Sequence, residues 1–137
     1  MKPEARSRLV AALDRHAPVD AGCEPVLREA IGQLAGHPGK LVRARLVLLA
    51  AEHHGLEPRA AEKLACAIEF FHTASLAFDD LPCMDDAAVR RGLPCVHRTF
   101  GEAAAILAAL TLINRGYALA HDALARQPLR VRTTANE

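Results

Sequence analysis

Four aspartates bracket a short proline-containing run, Asp79-Asp80-Leu81-Pro82-Cys83-Met84-Asp85-Asp86, and Arg90-Arg91-Gly92 follows close behind. Carboxylates repel a polyanion unless a divalent cation stands between them. Magnesium takes hard oxygen ligands and leaves coordination places for phosphate oxygens. Two neighbouring guanidinium groups can fork onto the same phosphates. The pattern therefore points to magnesium-assisted work on a diphosphate. The plainer alternative is a solvated helix end, since charge runs are usually exposed surface. Two details weigh against it. Aspartates at a helix C-terminus oppose the macrodipole, at a cost of ~0.3–1 kcal/mol each unless a cation offsets it. Phe70, Phe71, Leu76 and Phe78 lead directly into the cluster, which places it at the mouth of an apolar region.

Other polar residues join this pattern. Lys40 and Arg43 are three apart, so on a helix they share a face. Gly39 before them suits a helix start, where free amides attract anions. His72 and Asp79 are seven apart and point the same way on a helix. Ala61, Leu64, Ala65 and Ile68 form an apolar stripe that continues through His72, Ser75 and Asp79, as expected of a helix lining a cavity. Alone, His72 reads as a satisfied core histidine and the Arg90-Arg91 pair as wet surface; their company lends them weight. Cys83, Cys95 and His97 fit no standard zinc spacing. Neither a phosphate-binding Gly-x-x-x-x-Gly-Lys-Ser/Thr loop nor a Gly-x-Ser-x-Gly turn occurs, so nucleotide triphosphate chemistry and serine hydrolysis are unsupported.

The elements that must position these residues read as all-α. Helices are expected from Pro3 to before Pro18, from Glu24 to Leu34, from Lys40 to His54, from Pro58 to Asp80 and from Glu102 to Leu124, with a loop from Pro82 to Pro94. No strand-like alternation, internal repeat or linker is visible. The 137 residues read as one domain, and 51% hydrophobic content is enough for a core. Seventeen basic against sixteen acidic residues lack the basic excess of a nucleic-acid footprint. No uninterrupted apolar run is long enough to span a membrane, and the first residues lack a signal-peptide stretch, so the expected location is cytoplasmic. The four cysteines form no Cys-x-x-Cys pair and are expected to be reduced, mostly as core fillers. Pro128 and residues 133–137 read as a frayed end.

Together these pieces resemble the trans-isoprenyl diphosphate synthases, or polyprenyl synthetases. Asp79 to Asp85 is similar to the family's first aspartate-rich motif, Asp-Asp-x-x-x-x-Asp. Pro38-Gly39-Lys40-Leu41-Val42-Arg43-Ala44 resembles Gly-Gly-Lys-Arg-x-Arg-Pro, and Phe71-His72-Thr73-Ala74-Ser75-Leu76 resembles the stretch contributing a histidine. Arg90-Arg91-Gly92-Leu93-Pro94 with His97 resembles Arg-Arg-Gly-x-Pro-x-x-His. The match covers about residues 36–120 in register. The resemblance implies the N-terminal part of an isoprenoid-synthase-type helical bundle. It implies magnesium on Asp79, Asp80 and Asp85, with Asp86 supporting. Arg90 would hold the allylic diphosphate; Lys40, Arg43, His72 and Arg91 would hold that of isopentenyl diphosphate. Asp79, Asp85 and Arg90 would be the catalytic set. The implied reaction is prenyl transfer between these two substrates. The small residues Ala74 and Ser75 would line the chain-length pocket, which resembles bacterial synthases of geranylgeranyl diphosphate. A homodimer is also implied.

The sequence departs from the family at Pro38 and Leu41, where glycine and arginine are usual, and at Ala109-Leu110, where Gly-Asp is usual. The family's second aspartate-rich motif faces the first across the cavity. After Asp86 this sequence holds only Glu102, Asp122 and Glu137 as acids, none paired. The expectation is therefore one wall of an active site, weakly binding and not catalytic by itself, with an apolar helix face uncovered. It would be a synthase fragment, the resolved part of something longer, or a noncatalytic subunit completed by a partner chain. An interaction protein without chemistry is the rival class. A helical terpene cyclase would use the aspartates but would not need Lys40, Arg43 and His72.

Overall fold

The computed structural model describes residues 3–125. The end expected to fray, residues 128–137, lies outside them. In chain order the elements are α1 (Pro3–His16), α2 (Pro25–Gly36), α3 (Val42–His53), α4 (Pro58–Asp79), β1 (Val89–Arg90), β2 (Leu93–Pro94), α5 (Val96–Phe100) and α6 (Glu102–Ala125). The fold is helical, as expected. Two helices start by one device. Glu24 and Glu57 each turn a carboxylate onto a first-turn amide, of Leu27 and of Ala60, at 3.0 Å, and a proline preset for helix follows each glutamate.

α4 and α6 form the spine, with α3 and α1 against α4 and α2 against α6. The spine helices meet through small residues. α4 buries Ala60, Ala61, Ala65, Cys66, Ala67, Phe70, Ala74 and Ala77, and α6 buries Ala105, Ala108, Ala109 and Gly116 around Leu112 and Leu119. The larger buried side chains, Phe70, Ile31 and Leu112, each contribute about 1.5–3 kcal/mol. The expected stripe on α4 divides. Ala61 and Ala65 are core, Leu64, Ile68, His72 and Asp79 are half-buried, and Ser75 is exposed. That line borders the core on its open side. Apolar residues are also left uncovered elsewhere: Val42, Leu46 and Leu49 share one face of α3, and Ile106, Leu107, Leu110 and Tyr117 are exposed along α6.

Three expectations change. α3 starts at Val42, with Leu41 as its N-cap in the left-handed region at φ 55°, so Lys40 precedes the helix and does not share a helical face with Arg43. The loop after Pro82 contains an antiparallel hairpin pairing Val89 with Pro94 and Arg90 with Leu93. Its two-residue turn is Arg91-Gly92, at φ 54° and 82°, the positive pair that a tight hairpin of native twist requires. Finally, α6 by length and composition is apolar enough to cross a membrane. One side of it is packed into the bundle. Its small face is buried, Arg115 Nε donates to the His16 carbonyl at 2.8 Å, and Asp122 pairs with Lys63.

Gly116 sets the closeness of the spine. A Cβ there would lie 2.8 Å from the Phe71 ring, whose edge also meets Tyr117 at a centroid distance of 4.9 Å. Gly116→Ala is expected to lose ~1–3 kcal/mol of stability by overpacking, despite alanine's better helix propensity. Urea unfolding measures this, and a neutral or stabilised variant would show that the helices yield.

Candidate diphosphate and metal site

The acidic segment is built on the end of α4. Asp79 is its last residue and Asp80 its C-cap. The chain then curls back. The Asp85 amide donates to the Asp79 carbonyl at 2.9 Å, and the amides of Met84 and Asp86 donate to the Leu81 carbonyl at 2.9 and 3.1 Å. This closed loop brings Asp85 beside Asp79 at the helix end. Asp79 is half-buried and Asp85 exposed, and among the described residues neither carboxylate has an ion-pair partner. No three acidic, histidine or cysteine side chains converge into a metal cage among the described residues. Magnesium does not need one, because it binds through one or two carboxylates and fills its octahedron with phosphate oxygens and water. The spare pair Asp79 and Asp85 fits that chemistry.

Asp80 takes a different role from the expected metal ligand. It is 4% exposed. Both its oxygens accept from Arg90, with Nε at 2.8 and 2.7 Å and Nη2 at 2.6 Å. A buried carboxylate persists when a partner neutralises it, and the bidentate fork supplies that partner. These hydrogen bonds to Asp80 raise the Arg90 pKa further. Arg90 therefore stands braced, with its Nε edge facing Asp80. Asp86, expected as a supporting ligand, offers Oδ1 to Arg98 at 2.7 Å on the surface.

The hairpin carries Arg91 to the other side of the site. Its Nη1 donates to the His37 carbonyl, and its Nη2 lies 2.9 Å from where a Cβ on Gly39 would sit. Gly39 thus serves as the bare backbone over which Arg91 lies, beside Lys40. Gln33 Nε2 holds the strand behind, donating to the Pro94 carbonyl at 2.7 Å. Arg43 enters from the first turn of α3. His72, half-buried on α4, feels the charge of these arginines. Burial lowers its pKa first, then the charge of Arg43, with Arg91 and Arg90 adding to it and Glu69 opposing. Charges from α3 and the hairpin thus act on His72, on the same helix that ends at Asp79.

The two chain-length candidates separate. Ala74 is 0% exposed and belongs to the core, whereas Ser75 is exposed, with Oγ donating to the His72 carbonyl at 2.8 Å. They are adjacent on a helix, so they point about 100° apart. Only Ser75 lies on the open side.

Sequence inspection passed over Glu69. This buried residue, three before His72, accepts the Ala44 amide at 3.0 Å. The signal available was a lone acid in the apolar stretch Ala65 to Phe71. His97 is buried in α5, with neither ring nitrogen hydrogen-bonded among the described residues. Cys95 is buried against Asp80, and burial and that carboxylate raise its pKa. Burial pushes Cys66 up to about 12, so it is an inert core filler. Cys83 is exposed and Cys23 half-buried; all four are free thiols.

The bundle thus carries an aspartate loop at the end of α4, with arginines of α3 and the hairpin acting on His72 of the same helix. Residues 24–137 match the polyprenyl synthetase family model, and the chain belongs to that family. It is 39% identical to a geranylgeranyl diphosphate synthase of Pantoea ananas over 98% of this chain and 46% of the relative. A second such synthase, from Pseudescherichia vulneris, is 49% identical over 60% of this chain and 27% of its own length. A geranyltranstransferase structure from Thermotoga maritima superimposes with TM-score 0.79 at 34% identity, covering 86% of this chain and 44% of that one. A Helicobacter pylori geranyltransferase solved with magnesium and isoprenyl diphosphate gives 0.75 at 28% identity, over 96% of this chain and 45% of that one. The chain spans less than half the length of these relatives.

Two outcomes follow from this geometry. Asp80→Asn is expected to cost ~1–3 kcal/mol, since it removes the charge that a braced arginine faces. Asp86→Asn, at a surface pair, should change stability by less than about 1 kcal/mol. Equal costs in urea unfolding would contradict the burial difference. The second outcome concerns pH. Because the His72 pKa is lowered in the folded state, the unfolded chain takes up the proton first as pH falls below 6.5. His72 therefore subtracts stability progressively below that pH, and fully once pH passes its folded value. Unfolding free energies of His72→Asn should fall less steeply with acid than those of the parent chain.

Proposed function

We propose that this chain forms the first substrate-binding wall of a magnesium-dependent prenyltransferase that joins an allylic diphosphate to isopentenyl diphosphate. The observation that carries this is the loop that returns Asp85 to Asp79 at the end of α4, with Arg90 forked onto the neighbouring Asp80 and Arg91 lying over Gly39. Arg43, His72, Arg91 and Lys40 hold one diphosphate. Arg90, braced by Asp80, faces the other. Asp79 and Asp85 would hold magnesium, which when bound neutralises charge on the departing diphosphate. The allylic C–O bond would break with its electron pair leaving on the diphosphate that Arg90 holds, the isopentenyl double bond would attack the allylic cation, and the proton released would pass to the departing diphosphate. Leu64 and Ile68, half-buried along the open side of α4, supply the apolar surface that keeps water from the cation. A twenty-carbon product is supported by the names of the relatives and by the small Ser75 on that side.

Cytoplasmic location and a homodimer complete the proposal. A noncatalytic subunit is the second reading, favoured by the exposed apolar faces of α3 and α6, which offer a surface to a completing chain.

Magnesium together with a nonhydrolysable allylic diphosphate analogue should raise the melting temperature of the chain. Asp79→Asn should abolish the magnesium-dependent part of the shift. NMR titration of His72 should show its midpoint rising on addition of the analogue, because an anion offsets the arginine charges. No thermal shift and an unmoved His72 midpoint would favour the noncatalytic reading.

A further inference from the structure

The structure assigns Glu69 as a positioning residue that sets the spacing of Arg43 and His72 by capping α3 from α4. The assignment rests on the diphosphate site proposed above and deepens it.

α3 begins without a cap of its own. Leu41 stands at the N-cap position in the left-handed region, and a leucine side chain has no oxygen to offer the free amides of the first turn. Those amides include that of Ala44, directly after Arg43. The cap arrives from another helix. Glu69 on α4 is 4% exposed, and its Oε1 accepts the Ala44 amide at 3.0 Å. A carboxylate near a helix N-terminus is also favoured by the helix dipole.

The placement links two substrate-facing residues. Ala44 follows Arg43 on α3, and Glu69 lies one turn before His72 on α4. One hydrogen bond between the helices thus locks the arginine's backbone against the histidine's helix. A cap supplied within α3 would hold α3 together but would leave its distance from His72 to general packing. Glu69 also lies close enough to oppose the arginine charges on His72.

Variants at Glu69 should fall in a distinct order. Glu69→Gln keeps an oxygen at the same reach and should still accept the Ala44 amide. Glu69→Asp keeps the charge but draws the oxygen back by about one bond, ~1.5 Å. Glu69→Ala removes the acceptor. Affinity for inorganic pyrophosphate with magnesium, measured by calorimetry well below the melting temperature, should fall about tenfold in the aspartate and alanine variants. It should fall by no more than about twofold in the glutamine variant, a small fraction of one hydrogen bond. The Ala44 amide signal in NMR should move in the same order. A purely structural role would lower the melting temperature but leave the affinity of the folded protein unchanged.

Equal pyrophosphate affinity in all folded variants would overturn the assignment alone. Absence of binding by the parent chain would overturn the diphosphate site and this inference with it. If Glu69→Ala does not fold, the contrast between the glutamine and aspartate variants decides.

Discussion

The site depends on one ion pair with a buried carboxylate, the fork between Asp80 and Arg90. A carboxylate taken out of water is costly unless its charge is met and its oxygens are hydrogen-bonded. Arg90 does both through three N–H···O contacts. The pair ties the hairpin to the end of α4. With Arg90 held in β1, the next residue must turn, and Arg91 is delivered over Gly39 toward α3. One of the four aspartates is thereby committed to architecture, and two are left spare beside it.

α4 serves two surfaces at once. Its alanine-rich side lets α6 approach, and the side bordering it runs from Leu64 through His72 to Asp79. A helix with bulkier residues on the first side would stand farther from α6 and change where the second side points. Packing in the spine and placement of the site are therefore one constraint. At Gly116 the Phe71 ring from across leaves no room for a Cβ.

Much of this was legible in the residues. Prolines and glycines marked helix ends, and helix type followed from composition. The aspartates, arginines and histidine named a diphosphate chemistry by type and spacing, and the family match agrees with the resemblance those motifs carry. The hairpin was not legible, because strands of two residues are too short to show alternation, although Arg91-Gly92 carried the turn signal. The start of α3 was misplaced for a related reason. Gly39 looked like a helix entry, but its missing side chain serves Arg91. Ala74 and Ser75 looked equivalent as small neighbours, and only the rotation of a packed helix separates them into core and open side.

The sequence by itself determined the helices, the chemistry available at the end of α4 and the spacing of every group within one element. Those follow from covalent geometry and local preference, which act over a few residues. Tertiary structure alone decided which aspartate Arg90 would take, which amide Glu69 would cap and which charges would act on His72. Each of these joins residues from different elements, such as Ala44 and Glu69, 25 positions apart. Partners so distant in the chain meet only when burial selects one packing, because a buried polar group must find its match there or give up its place.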